Sequence, residues 1–360
     1  MTAIADDPVL RVVSNMPHLG KAELPGWRVE HQYVDATRPF VAALRMVKAA
    51  PRGGTIVVHA SARKLIVVCL LGCLLPWQQW HLISVDLYLT RPAGPIGRTA
   101  AWCKRLLLRR VNTFIVYFKD LSGYARWYGV TEHRTRYVPF KVNSWRYIED
   151  QPRTSDGHYV FTGGRSHRDL RTFCSAMRLV GYPGVILYYD DETMRQGGSA
   201  FDLCWVPPNV QAIRHDARAD SWVEFMRGAK VVVLPTFPGV ISAPCIGTYL
   251  DAMALEKGVV VSESPATRQL ISDQALVVPA GDPISLADAI RRVWTDDGLR
   301  IKLAGRGRQY AAALGDESRL LHNILEVAGS TAHSTSEQDG KTGSSLLSRR
   351  QPSGHSLKHR

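Results

Sequence analysis

Acidic residues are scarce in the first half of this 360-residue chain, cysteines number six, and no apolar run is long enough to span a bilayer. Each absence removes a class of protein. The longest apolar stretch, Leu65 to Leu75, is about half the length of a spanning helix and stops at Pro76, so it reads as a core helix. Cys69, Cys73, Cys103, Cys174, Cys204 and Cys245 make no Cys-x-x-Cys pair and have no histidine at zinc spacing. A disulfide scaffold and a zinc module are therefore excluded, and reduced thiols are expected. The N-terminus shows Asp6-Asp7-Pro8 and no early basic region, so no secretory leader is expected and a cytoplasmic protein is. No strand is followed by Gly-x-Gly-x-x-Gly, which argues against a dehydrogenase. No zinc-finger, RRM or basic-zipper pattern is present, so nucleic acid is not an expected partner.

What remains is enough for two cores. Hydrophobic residues make up 45% of the chain, sufficient for two domains of ordinary size. Residues 330–360 are almost devoid of apolar side chains and read as a disordered tail. The formal charge of +13 is unevenly placed: residues 1–150 hold 21 Lys and Arg against 10 Asp and Glu, and residues 151–360 hold 24 against 22. Much of the excess falls in Gly97 to Arg110, where Arg98, Lys104, Arg105, Arg109 and Arg110 alternate with Trp102 and Leu106 to Leu108. That pattern suits a helix on an anionic membrane surface, and equally a solvated helix that packs its leucines inward.

In the first half, strand-like segments (Leu10 to Ser14, Arg28 to Tyr33, Thr55 to Val58, His81 to Val85, Thr113 to Tyr117, Tyr137 to Pro139) alternate with helical ones (Phe40 to Ala50, Arg63 to Leu75, Leu121 to Trp127). Such alternation predicts a parallel sheet covered on both faces. The second half carries the sharper motifs. Val231 to Leu234 is a buried-strand run that Pro235 to Pro244 cannot continue; Cys245 to Leu255 has helical apolar spacing, and Gly258 ends it before the strand Val259 to Val261. Gly247 and Thr248 keep the first helical turn small, so a ligand can reach its amides. Upstream, a strand ends at Gly163-Gly164, Ser166 is the expected N-cap of a helix from about His167, and Arg165 and Arg168 flank it. Two guanidiniums and a helix start at the carboxyl end of a strand make an anion site. Tyr189-Asp190-Asp191-Glu192 resembles a metal-binding Asp-x-Asp motif, but after the strand Val185 to Tyr188 it reads as an acidic helix start, and no metal is expected.

These segments resemble the GT-B glycosyltransferases, specifically the retaining family 4, whose hallmark is Glu, seven residues, Glu, then Ala-Met-Ala. Asp251-Ala252-Met253-Ala254 matches its second half, while Ala243 stands where the first Glu belongs. The resemblance implies two Rossmann-like α/β domains with doubly wound parallel sheets facing a central cleft. It divides the chain into an acceptor-binding domain over 1–145, a linker over 146–156, a nucleotide-sugar domain over 157–315, a helix over 316–329 packing back on the first domain, and the tail. It further implies a diphosphate clamp from Gly164, Arg165, Ser166, Arg168, Cys245, Ile246, Gly247 and Thr248, with Arg171 an alternative to Arg168 as the second cation, and a ribose contact from Asp251. His59 and Asp86, each ending a strand, match positions near the reacting sugar. The expected chemistry is transfer of a sugar from a UDP- or GDP-type donor to a glycan or lipid-linked acceptor, retaining and metal-independent, in envelope or exopolysaccharide assembly. Base recognition is expected around Trp205 to His215. Two alternatives stay open: an inverting GT-B enzyme with Asp86 as general base, similar to membrane-associated glucuronosyltransferases, and a sugar-nucleotide binder that has lost catalysis along with the Glu.

Overall fold

A computed structural model describes residues 7–34, 37–75, 77–148 and 157–331. Most of the expected linker, and the tail from 332 onward, lie outside these residues. Two six-stranded parallel sheets dominate. The first contains β1 (Val9–Ser14), β2 (Arg28–Tyr33), β3 (Thr55–His59), β4 (His81–Val85), β5 (Thr113–Val116) and β6 (Thr135–Tyr137), in the order β2-β1-β3-β4-β5-β6. The second contains β7 (Tyr159–Gly163), β8 (Gly184–Tyr188), β9 (Val210–Arg214), β10 (Ala229–Leu234), β11 (Gly258–Ser262) and β12 (Leu276–Val278), in the order β12-β11-β10-β7-β8-β9. Both are doubly wound, which is the GT-B architecture.

The strands sit where β-branched runs demand burial on both faces. Val231, Val232, Val233 and Leu234 of β10 are wholly buried, and β10 pairs with both β7 and β11. The order of the second sheet reverses between β7 and β10, and the crevice at that reversal is where open α/β sheets take ligands. Helix 317–331 buries Leu320, Leu321, Ile324 and Leu325 in one cluster with Leu10, Val12 and Leu24 of the first domain. There His322 Nδ1 lies 2.9 Å from the Glu23 carbonyl oxygen.

Two local expectations need correction. The sixth strand is Thr135–Tyr137, two residues earlier than the pattern suggested, because Tyr137 pairs with Val116 and ends the ladder. The helix after β7 begins at Leu170, with Asp169 rather than Ser166 as its N-cap, accepting from Thr172 N at 3.0 Å. His167 adopts φ 51° and Arg168 bridges to Thr236, so residues 164–168 stay a loop until an Asp is available to cap.

The strap that leaves β4 is held by tyrosines. Tyr124, buried, donates from its hydroxyl to Leu87 O at 2.6 Å and accepts from Leu89 N at 3.1 Å; the Tyr128 hydroxyl donates to Thr90 O at 2.8 Å. Tyr124→Phe strands one buried carbonyl and one buried amide, so it should destabilise the protein by about 1–3 kcal/mol. Urea unfolding checks this, and an unchanged midpoint would show that the strap needs no anchor.

Candidate active site

The strap, the β7–β10 crevice and the start of helix Ile246–Ala254 enclose a cavity of about 510 Å³ between the two domains. Its floor is built around Arg168. This side chain is 2% exposed, and among the described residues its hydrogen-bond partners include no carboxylate. Nε donates to Gly163 O at 2.8 Å, Nη1 to Ser166 O at 2.9 Å and to Cys245 Sγ, and Nη2 to Thr248 Oγ1 at 2.9 Å. Every partner is neutral, so the guanidinium's charge is balanced by no acid within hydrogen-bonding reach. Ser199 fixes the loop by accepting from Arg168 N at 2.8 Å and donating to Arg165 O at 2.6 Å. Gly164 has φ 102°, and a Cβ there would lie 2.7 Å from Arg168 Nη2, so glycine is required for backbone and guanidinium alike.

Cys245 lies at the helix start with φ 77° and supplies no side-chain cap, which leaves the first-turn amides of Ile246–Ala254 uncapped by a side chain beside Arg168. Burial pushes the Cys245 thiol up in pKa, partly opposed by Arg168. Gly247 is equally constrained, since a Cβ would meet Asn143 Nδ2 at 2.1 Å. Gly164, Arg165, Ser166, Arg168, Cys245, Ile246, Gly247 and Thr248 all line the cavity, with Arg165 exposed at its rim.

Asp251 also lines it, 2% exposed, and both its oxygens accept from Ser144: one from the main-chain N–H, the other from Oγ, each at 3.0 Å. Burial raises its pKa to about 6 against those hydrogen bonds. A carboxylate oxygen accepts more than one bond, so Asp251 can hold Ser144 and still meet a ligand hydroxyl.

Asp86 faces the cavity from the first domain with φ 51°, and burial raises its pKa to about 6. His59 does not reach the cavity. It ends β3 as expected, but the Asn15 side chain accepts from its N–H at 2.7 Å and donates to its carbonyl at 3.0 Å, and Ala60 turns the chain away with φ 51°. Burial lowers its imidazole pKa, with Glu317 opposing and Lys141 adding to the shift.

Several lining residues gave no signal in the sequence. Tyr88 lines the cavity, its hydroxyl lying 2.9 Å from Nε2 of His167, which stands behind the lining with Nδ1 2.9 Å from Gly197 O. Tyr117 is buried beside Asp86 with a hydroxyl that finds no hydrogen-bond partner. Tyr189, His215 and Trp222 form an aromatic wall, with His215 centred 5.2 Å from Tyr189 and 5.5 Å from Trp222. Of the segment Trp205 to His215, only His215 reaches the cavity; Trp205 stands under Arg171 instead. Asp190 caps helix Asp191–Gln196 by accepting from Thr193 N at 2.9 Å, which accounts for the acidic run.

The fold, two doubly wound sheets facing a cleft, has counterparts among known proteins. Residues 202–296 match the family model described as Glycosyl transferases group 1. Sucrose-phosphate synthase from Thermosynechococcus elongatus is 16% identical, with a TM-score of 0.63 over 91% of this chain and 100% of that one. Anabaena HepE, solved in complex with UDP, is 12% identical with a TM-score of 0.62 over 90% and 100%. The α,α-trehalose 6-phosphate synthase of Burkholderia multivorans is 14% identical with a TM-score of 0.62 over 89% and 76%. No curated protein matches the chain. The fold is thus that of GT-B proteins, and within the second domain residues 202–296 match the group 1 glycosyltransferase model.

Gly164→Ala should force the Arg168 guanidinium from its seat while leaving the cores intact. Nucleoside diphosphate binding should weaken about tenfold or more, as expected for a lost charge-assisted contact. Titration calorimetry reads this, and native affinity in the variant would show that the seat is not needed.

Proposed function

We propose that the cleft transfers a sugar from a nucleoside diphosphate donor to a saccharide hydroxyl, without a metal or other cofactor. The observation that carries this reading is Arg168, a buried cation whose partners are all neutral, placed beside uncapped helix amides. A diphosphate there completes the charge balance, and the same groups stabilise the negative charge that grows as the glycosidic bond breaks. Arg165 adds a second cation from the rim, Asp251 with Ser144 takes the ribose hydroxyls, and the wall of Tyr189, His215 and Trp222 receives the base. The neighbour solved with UDP supports a uridine-type donor. A place in envelope or exopolysaccharide assembly remains the family resemblance's suggestion.

For the stereochemical outcome, retention draws on the resemblance alone. Inversion has a specific observation in its favour: Asp86 lies in the cavity with a pKa of about 6, while Ala243 lines it where the family has a Glu. In the reading this favours, Asp86 accepts the acceptor hydroxyl's proton as that oxygen attacks the anomeric carbon and the diphosphate departs with the bonding pair. Tyr117, with its free hydroxyl, can donate to the incoming acceptor or to Asp86.

Proton NMR of the first-formed product tests this directly: inverted anomeric configuration, and a rate that falls below about pH 6, are expected. Retained configuration would remove Asp86 as base, and added EDTA should not change the rate. Asp86→Asn should be inactive yet more stable. The native carboxyl has a folded pKa above its unfolded value, so its stabilising contribution is full below about pH 4 and is lost as pH rises through about 6. Asparagine tolerates the left-handed backbone and removes that loss, so the variant should outlast the native protein in urea at pH 8 by about 3 kcal/mol, and match it below pH 4.

A further inference from the structure

Helix Gly94–Leu107 is turned inside out relative to an ordinary surface helix. Ala101 is its one fully buried residue, whereas Ile96 is 86% exposed, Trp102 59% and Leu106 39%. At 100° per residue these three share the outward side, so the leucine-rich pattern does not pack wholly inward. Arg98 and Arg105 border the apolar face, and Arg109 follows in the next turn. The adjoining helix Ala62–Leu74 adds Leu74, 71% exposed, and beyond it Trp77, 57% exposed. Arg110 ties the two helices by donating to Gly72 O.

The surrounding charge says what covers this face. Residues 36–119, which supply helices Pro39–Ala49, Ala62–Leu74 and Gly94–Leu107 along one side of the first sheet, contain 13 Lys and Arg and a single acid, Asp86. That acid is in the cleft, so this outer layer carries no negative charge. A protein partner would need an apolar patch ringed by acids, whereas an anionic bilayer offers both properties at once, acyl chains beneath a sheet of phosphates. Tryptophan at the boundary of the face is the residue that interface favours. No helix among the described residues is long and apolar enough to cross a membrane, so the contact is with the surface.

We infer that helix Gly94–Leu107 seats the first domain on a bilayer rich in anionic lipid, burying Ile96, Trp102 and Leu106 among the headgroups while Arg98, Arg105 and Arg109 pair with phosphates. The inference rests on the fold and the charge layout and stands independently of the transfer reaction. It has a consequence for the cleft: the strap that carries Asp86 and Tyr88 runs straight into this helix, so a docked helix holds the acceptor side of the cavity close to the lipid.

The test is flotation of the full chain with vesicles of phosphatidylcholine alone or mixed with phosphatidylglycerol. The native protein should float with the anionic vesicles at low salt, only weakly with the neutral ones, and partly dissociate at high salt. The triple variant Ile96→Ser, Trp102→Ser, Leu106→Ser changes exposed positions only; its partitioning should fall about tenfold or more, with nucleoside diphosphate binding unchanged. A native protein that never floats, or a triple variant that floats as well as native, overturns the inference. So does light scattering that finds a native dimer and a monomeric triple variant, since the face would then be covered by a second copy.

Discussion

The buried guanidinium of Arg168 is the constraint around which the second domain is arranged. Taking a cation out of water costs several kcal/mol unless hydrogen bonds and an opposite charge compensate. Here Gly163, Ser166, Cys245 and Thr248 supply the hydrogen bonds, and in the function proposed above the opposite charge comes from a bound diphosphate. The unusual backbone nearby follows from the same seat. Gly164 needs φ 102° to leave room for the guanidinium, His167 and Cys245 take left-handed conformations to bend their loops around it, and Ser199 clips the loop shut. An apolar residue at 168 would relieve the desolvation and abolish the reason for the rest.

The first domain contributes the opposite polarity across the cleft. Asp86 and Tyr117 sit on adjoining strand ends, both with burial raising their pKa, and Tyr88 reaches over to His167. The domains are joined at further points: Ser144 donates to Asp251, and Arg268 pairs with Asp120 at 2.7 Å. A donor bound at Arg168 therefore lies in a cavity whose far wall is already positioned. The two buried carboxyls, Asp86 and Asp251, are where the fold gives up stability, and both line the cavity. Stability is surrendered at these carboxyls, whereas β10 from Val231 to Leu234 is apolar and wholly buried.

Much of this was legible because local patterns carried it. The unbroken valines of β10, the proline-rich stop after it and Gly258 fix strand, crevice and helix without tertiary information. Gly163-Gly164-Arg165 likewise announces a tight turn at a strand end. The helix start was misplaced because Ser166 and Asp169 are both good caps, and the choice depends on Arg168 pairing with Thr236, a contact 68 residues distant in sequence. His59 ends β3 as the pattern placed it, but it is not among the cavity's lining residues, a placement that depends on how β3 sits beside Asn15 and is not readable from the strand alone. Tyr88, Tyr117, His167 and Trp222 carry no local signature; ordinary aromatics and a histidine become a site only when two sheets face each other.

The central claim is that Arg168 awaits a diphosphate. Calorimetric titration of the native protein and of Arg168→Gln with UDP, GDP and ADP tests it most directly, with circular dichroism to confirm that the variant folds. One nucleoside diphosphate should bind the native protein with about micromolar affinity, and a folded variant should lose about tenfold or more of it. Equal binding by both proteins, or no binding by the native one, would contradict the account.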